Sequence, residues 1–81
     1  MKLEIISPEK TIFTGEAESV NLPGTAGSFE VLPHHAALIS SLKAGEIRYM
    51  VDGNETKLKI DSGFVEVNNN VVSVCIEKVV S

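Results

Sequence analysis

The sequence predicts an all-β fold, a single antiparallel β-sandwich or flattened barrel of about nine or ten short strands. Apolar residues recur at every second position over short runs, which is the period of a strand with one buried face. Turn residues bound these runs, and the sequence contains no helical heptad or internal repeat. With 81 residues the chain has the length of one small domain, which we expect to span residues 1–81 and to expose roughly 4,700 Å² when folded.

The first half of the chain alternates between extended runs and turn residues. The extended runs predict strands at 2–5, 11–14, 18–22, 28–32 and 38–42. Glycine, proline or clustered polar residues separate these strands, at 7–10, 15, 23–27, 33–35 and 43–45. The segment Pro23–Gly27 holds a proline and two glycines, so it predicts a tight or irregular loop.

The second half has a clearer strand pattern. Two consecutive strands, connected by a hairpin turn at Asp52–Asn54, are expected to share an inner apolar face. The residues predicted to point inward from these strands are Ile47, Tyr49, Val51, Thr56, Leu58 and Ile60. Asp61–Gly63 predicts a further turn, and Asn68–Asn70 predicts a last hairpin that pairs Phe64–Val67 with Val71–Val79.

The balance of charges argues against nucleic acid as a partner. Seven Lys and Arg against eleven Asp and Glu leave a net charge of −4, and the cations are scattered along the chain. Phosphate binding needs a basic face, and single-strand binding adds an aromatic platform, whereas this chain has three Phe and one Tyr. We therefore predict that the chain does not bind nucleic acid.

The apolar residues do not form a membrane segment. No apolar run approaches the roughly 20 residues of a membrane span, and the chain starts on an alternating pattern instead of a signal-peptide core. We therefore expect no direct lipid insertion, and any attachment to a membrane is expected to go through protein. The single cysteine, Cys75, cannot form an intramolecular disulfide, which favours a reducing compartment.

The polar residues do not form a recognisable catalytic or metal-binding pattern. Adjacent His34 and His35 point to opposite sides of an extended segment, and the chain has no other histidine. Cys75 lies mid-strand among valine and isoleucine, which predicts packing in or beside the core instead of a reactive thiol. Pro23–Gly27 lacks the Lys-Ser/Thr ending of a phosphate-binding loop. We predict no catalytic residue, no metal site and no cofactor.

The distinctive residues lie in two neighbouring stretches, Pro23–Gly27 and Pro33–Ala37. Exposed loops on a rigid scaffold are the places where binding residues collect. Because these loops carry no catalytic chemistry, they indicate a protein partner instead of a substrate.

Residues 23–38 resemble the PGxxGxFGVLPxHAPL stretch of the epsilon subunit of F-type ATP synthases. The resemblance continues over essentially the whole chain, with further matching segments at 7–8, 13–15, 20, 42–47, 62–67 and 70–74. Glu30 stands where the family usually has glycine, and Ala37 where it has proline. The family's two-helix C-terminal hairpin does not follow before Ser81, so the resemblance implies neither nucleotide binding nor inhibition of ATP hydrolysis, and we expect no ATP binding.

The resemblance implies a non-catalytic subunit of the central stalk, or rotor. Such a subunit docks on the gamma subunit and on the membrane-embedded c-ring and helps to couple ion-driven rotation to ATP synthesis. The family's ring-facing positions fall on Ser28, Phe29 and Glu30. Its gamma-facing positions fall on Ser7, His35, Ala36, Leu38 and Ser40. The implied location is the cytoplasmic face of the bacterial plasma membrane, with peripheral attachment through protein contacts.

Two other classes of protein share this size and strand content. A biotinyl or lipoyl carrier domain needs an exposed lysine at a hairpin tip, but Asp52–Asn54 has none and Arg48-Tyr49-Met50 does not reproduce the modified Met-Lys-Met signal. A small β-barrel enzyme built around His34 or His35 needs further metal ligands in a suitable arrangement, which the sequence does not offer.

Overall fold

The computed structural model describes residues 1–80 of the chain. Over these residues the backbone forms eight strands, whose bounds are β1 (Lys2–Ile6), β2 (Thr11–Glu16), β3 (Ser19–Gly24), β4 (Gly27–Val31), β5 (Leu38–Leu42), β6 (Gly45–Val51), β7 (Asn54–Asn68) and β8 (Val71–Val79). None of the described residues lies in a helix long and apolar enough to cross a membrane.

The strands hydrogen-bond in the order β2-β1-β8-β7-β5-β3-β4, and β6 pairs with both β3 and β7. β7 belongs to both halves of this arrangement, because its first part pairs with β6 and its second part with β5. We call β2, β1, β8, the second part of β7 and β5 the β1 layer. The first part of β7, β6, β3 and β4 form the β3 layer. The two layers make a sandwich, as the sequence predicts.

The prediction of a purely antiparallel fold is wrong for one pair of strands. β1 and β8 run parallel, from Lys2 opposite Val71 to Ile6 opposite Cys75. Each of these strands also has an antiparallel neighbour that follows or precedes it in the chain, β2 for β1 and β7 for β8. Local turns determine those antiparallel pairs, whereas the parallel pair joins the two ends of the chain and leaves no local signal.

The predicted turn at Asp61–Gly63 is an irregularity inside one long strand. β7 continues from Asn54 to Asn68, and its pairing with β8 shifts register between Ile60 and Ser62 and again between Ser62 and Gly63. A Cβ atom at Gly63 would collide with the carbonyl oxygen of Cys75, so only glycine allows this close approach. Because the chain bends here and does not reverse, residues 1–80 hold fewer strands than predicted.

The other two predicted turns of the second half are confirmed. Asp52 and Gly53 form the tip between β6 and β7 with φ values of 49° and 77°. Asn69 and Asn70 form the tip between β7 and β8 with φ values of 51° and 62°. Left-handed backbone angles at both central residues match the twist of the adjoining strands, and Asp, Asn and Gly tolerate them best.

The core lies between the layers and is apolar. Within residues 1–80 no polar or charged residue is buried, and both layers contribute buried aliphatic side chains. Examples are Leu3, Ile5, Val65 and Val74 from the β1 layer and Val20, Leu22 and Ile47 from the β3 layer. The accessible surface of 4737 Å² agrees with the area expected from chain length.

The predicted inward alternation of β6 and β7 is confirmed at Ile47, Tyr49 and Ile60, which are buried. Val51 and Leu58 are half-buried, and Thr56 is exposed. Thr56 pairs with Tyr49 of β6, on a part of β7 that β8 does not reach, because β8 pairs with β7 only from Ile60 onward.

Candidate functional site

The β3–β4 hairpin carries the three residues predicted to face the ring. Ser28, Phe29 and Glu30 all lie on β4, a strand, and not on a loop. Ser28 and Glu30 share one exposed face, whereas Phe29 is half-buried on the other face and packs against the core. The structure therefore brings Ser28 and Glu30 together on the surface and directs Phe29 inward, where its ring lies over Gly24.

β4 is also an edge of the sandwich. Among the described strands it pairs with β3 alone, from Val20 opposite Val31 to Gly24 opposite Gly27. Its other backbone edge faces away from the sheet and is accessible to a partner. The hairpin tip, Thr25–Ala26, is exposed as well.

The loop between β4 and β5 holds His35 and Ala36, two of the residues predicted to face gamma. His34 adopts a φ of 65°, and its backbone N–H donates to Oδ1 of Asn70 at 2.8 Å. The backbone N–H of His35 donates to the carbonyl of Leu32 at 3.1 Å. Its Nδ1 lies 2.7 Å from the carbonyl oxygen of Ala36, which can only accept, so Nδ1 carries the proton. These bonds hold His35 half-buried beside an exposed Ala36.

Within residues 1–80, His34 and His35 lie apart from other potential metal ligands. Across the part of the chain that the structure describes, no three His, Cys, Asp or Glu side chains come together as ligands. His34 and His35 instead line a shallow polar cleft with Ala37 and residues 68–70.

Two further residues predicted to face gamma, Leu38 and Ser40, point toward the inside of the sandwich. They lie opposite the buried Val67 and Val65 of β7, and both are half-buried. The outward positions of β5 are Ile39, which is 76% exposed, and Ser41. Ile39 is a residue that the sequence reasoning missed. The only feature of the sequence that could have identified Ile39 is an apolar side chain on the outward face of a strand. Which face of β5 is outward is known only once its pairing is known.

The outer face of the β1 layer carries an apolar patch. Cys75 of β8 lies in register between Ile6 of β1 and Phe64 of β7, which are 42% and 52% exposed. Ile39 lies diagonally from Phe64 on the same face, because Phe64 pairs with Ser41, two residues along β5, and Ile39 itself pairs with Glu66. We call Ile6, Cys75, Phe64 and Ile39 the outer strip. Cys75 is half-buried within it and faces away from the core that its neighbours Val74 and Ile76 help to form.

Ser7, the remaining predicted gamma-facing residue, borders the outer strip. It lines a shallow groove together with Ile6, Pro8, Phe64 and Cys75. Its backbone N–H donates to the carbonyl of Lys10 at 2.9 Å, and its hydroxyl accepts from the N–H of Lys10 at 3.3 Å. Ser7 thus closes the β1–β2 turn and fixes the rim of the groove.

Comparison with known proteins identifies the family. A family model described as "ATP synthase, Delta/Epsilon chain, beta-sandwich domain" matches residues 1–81. An ATP synthase epsilon chain of Desulfitobacterium hafniense (strain DSM 10664 / DCB-2) is 47% identical over 72 residues, covering 89% of this chain and 54% of its own length. One of Campylobacter fetus subsp. fetus (strain 82-40) is 45% identical over 76 residues, covering 93% and 59%. The chain thus spans somewhat more than half the length of these relatives.

Solved structures agree on the fold. A chain of the Euglena gracilis mitochondrial ATP synthase (OSCP/F1/c-ring) superposes with a TM-score of 0.89 at 22% identity, covering 96% of this chain and 51% of that one. A chain of the Tetrahymena thermophila mitochondrial ATP synthase central stalk and c-ring gives 0.84 at 13% identity, covering 96% and 63%. The sequence and family matches together show that this chain belongs to the ATP synthase delta/epsilon chain β-sandwich family.

Proposed function

We propose that this chain is a non-catalytic rotor subunit of an F-type ATP synthase, which docks on the gamma subunit and on the c-ring and helps to couple ion-driven rotation to ATP synthesis. The family match over residues 1–81 supports the choice of complex. The observation that carries the docking role is the outer strip, an apolar surface on an otherwise polar outer face. Contiguous apolar patches on the surface of a protein mark sites of interaction with other proteins, membranes or ligands.

The outer strip supports a docking surface for gamma. Ile6, Phe64 and Ile39 are between 42% and 76% exposed, so covering them removes apolar area from water. Ser7 at the strip and His35 with Ala36 in the β4–β5 loop are the proposed direct contacts beside it. Leu38 and Ser40 belong to the same proposed surface, where they hold β5 so that Ile39 points outward.

The β3–β4 hairpin supports a docking surface for the ring. Ser28 and Glu30 present polar side chains on an accessible edge strand, which suits contact with polar loops. Phe29 belongs to the proposed ring surface through its packing inside the hairpin, which fixes the strand that carries Ser28 and Glu30. The gamma and ring surfaces lie on different parts of one sandwich.

The proposed mechanism is mechanical. An adaptor that passes torque between ring and gamma must not deform under load. A sandwich with interdigitated inner side chains meets this requirement, because close-packed interiors have low compressibility. The proposed location is the cytoplasmic face of the bacterial plasma membrane, where gamma and the ring hold the chain.

Co-purification tests this proposal. A tagged chain is expected to retain both gamma and the ring, and Phe64→Glu is expected to reduce gamma retention because a charge would be desolvated at the contact. Lys57→Glu is the matched control, since Lys57 is exposed on the β3 layer away from the outer strip. The proposed gamma surface would be contradicted if the Phe64→Glu variant retained gamma as tightly as the parent does. It would also be contradicted if Lys57→Glu lost as much gamma as Phe64→Glu.

A further inference from the structure

The outer half of the β3–β4 hairpin is connected to β5, and to Lys43 directly after it, by three hydrogen bonds. The backbone N–H of Thr25 donates to the carbonyl of Ser41 at 3.1 Å, and the N–H of Lys43 donates to the carbonyl of Pro23 at 2.9 Å. The hydroxyls of Thr25 and Ser41 are hydrogen-bonded to each other at 2.9 Å. We call these contacts the hairpin joint.

The hairpin joint lies where the hairpin has little other lateral support. β3 pairs with β6 only near its start, at Ser19–Asn21. Its ladder with β5 is the single pair of Gly24 with Leu42, and the two backbone bonds of the joint are the bonds of this pair. Within the described residues, the part of the hairpin beyond Asn21 therefore has no hydrogen-bonded neighbour in the β3 layer other than its own two strands. The hairpin joint connects the far end of this part to the β1 layer.

Close packing reinforces the joint. A Cβ atom on Gly45 would lie 2.7 Å from Cβ of Pro23, so the start of β6 touches the hairpin without a gap. Pro23 and Leu42 are both buried at this point. Packed groups of this kind move together, because any displacement produces a clash or a void.

We propose that the hairpin joint makes the hairpin and β5 one mechanical unit, with Thr25 and Ser41 as positioning residues that pass force from the hairpin to β5. This inference rests on the proposed function, in which the hairpin faces the ring and β5 supports the gamma surface. A load applied at Ser28 then reaches β5 through the joint, instead of bending the hairpin about Ser19–Asn21.

Hydrogen exchange on the isolated chain tests whether the joint holds. In the double variant Thr25→Val with Ser41→Ala, the amides of residues 25 and 43 are expected to exchange roughly two- to tenfold faster, because the hydroxyl bond no longer restrains the hairpin. The amide of Val74 in central β8 is expected to keep its rate, and Thr25→Ser, which retains the hydroxyl, is expected to behave as the parent. Gly45→Ala opens the joint by a separate route, through the clash with Pro23. Unchanged exchange at residues 25 and 43 in both the double variant and Gly45→Ala would overturn the inference.

Coupling in the assembled synthase tests whether the joint transmits force. The double variant is expected to be retained in the complex but to pump fewer ions per ATP hydrolysed than the parent, and Thr25→Ser is expected to restore the parent ratio. Faster exchange together with unchanged coupling would overturn the inference and leave the docking role intact. Failure of the parent chain itself to be retained with gamma and the ring would instead overturn the proposed function, and the force path with it.

Discussion

The rings of Phe13 and Tyr49 meet across the two layers, with centroids 4.8 Å apart and planes inclined by 41°. Phe13 belongs to β2 of the β1 layer and Tyr49 to β6 of the β3 layer. This separation and tilt lie in the range in which aromatic pairs attract each other. The pair therefore connects the edge of one layer to the middle of the other.

Replacing Tyr49 with alanine is expected to lower the free energy of unfolding by about 3–5 kcal/mol, because the change removes a buried ring and the stack on Phe13. Tyr49→Phe keeps the ring and is expected to remain within about 1 kcal/mol of the parent. Denaturant unfolding followed by circular dichroism measures both. Equal destabilisation in the two variants would show that the hydroxyl, and not the ring, determines the effect.

Replacing Ser28 with arginine is expected to weaken retention of the ring without changing the melting temperature. Ser28 is exposed, so the substitution is expected to alter stability by less than about 0.5 kcal/mol. A charge desolvated at a contact costs several kcal/mol unless it finds a partner.

Two controls belong to the Ser28→Arg experiment. Thr56→Arg places the same side chain at an exposed position on the first part of β7, outside both proposed surfaces, and is expected to assemble as the parent does. Val74→Ala removes buried methyl groups and is expected to fail through unfolding, at a cost of about 1–4 kcal/mol. Early melting of Ser28→Arg, or ring retention equal to that of Thr56→Arg, would show that β4 is not the ring surface.

Two neighbouring substitutions on β5 test which side chain meets gamma. Ile39→Asp changes an outward residue and is expected to keep the melting temperature while reducing gamma retention at least tenfold. Leu38→Asp changes a residue that packs against the core and is expected to lower the melting temperature, because it places a charge among apolar side chains. Thermal unfolding and co-purification are measured on both variants. The opposite pattern would mean that β5 is turned over in the complex.

The chain is expected to ignore protein-free vesicles of anionic lipid. Its net charge of −4 is repelled by a negative surface, and its cations are dispersed along the sequence. Sedimentation with phosphatidylserine vesicles at low ionic strength measures binding. Neutral phosphatidylcholine vesicles serve as the control, and selective sedimentation with the anionic vesicles would contradict this expectation.

The residues that specify local structure were readable from the sequence. Asp52-Gly53 and the Asn68–Asn70 run identify hairpins because their backbone preferences are local. The alternation of Ile47 and Tyr49 with charged neighbours identifies a buried face for the same reason. The resemblance of residues 23–38 to the epsilon family identifies the family, which the family match confirms. The individual contacts assigned to the ring and to gamma remain predictions.

Pairing between segments distant in the sequence decided the direction of the β1–β8 pair and the conformation of Asp61–Gly63. The parallel pairing of β1 with β8 brings together segments from the two ends of the chain. No single turn joins these two strands, so local sequence does not indicate that they run parallel. At Asp61–Gly63 the same residues suit a turn or a bulge, and the close approach of Gly63 to Cys75 selects the bulge.

Strand β5 shows most directly that a strand's own sequence does not determine which of its faces is buried. Leu38 and Ile39 are both apolar, so alternation defines two faces of β5 without saying which one is inside. The pairing of Leu38 with the buried Val67 turns Ile39 toward solvent and completes the outer strip. A strand's own sequence therefore determined its period, and only its tertiary neighbours determined its phase, because burial is a property of the residues packed against it.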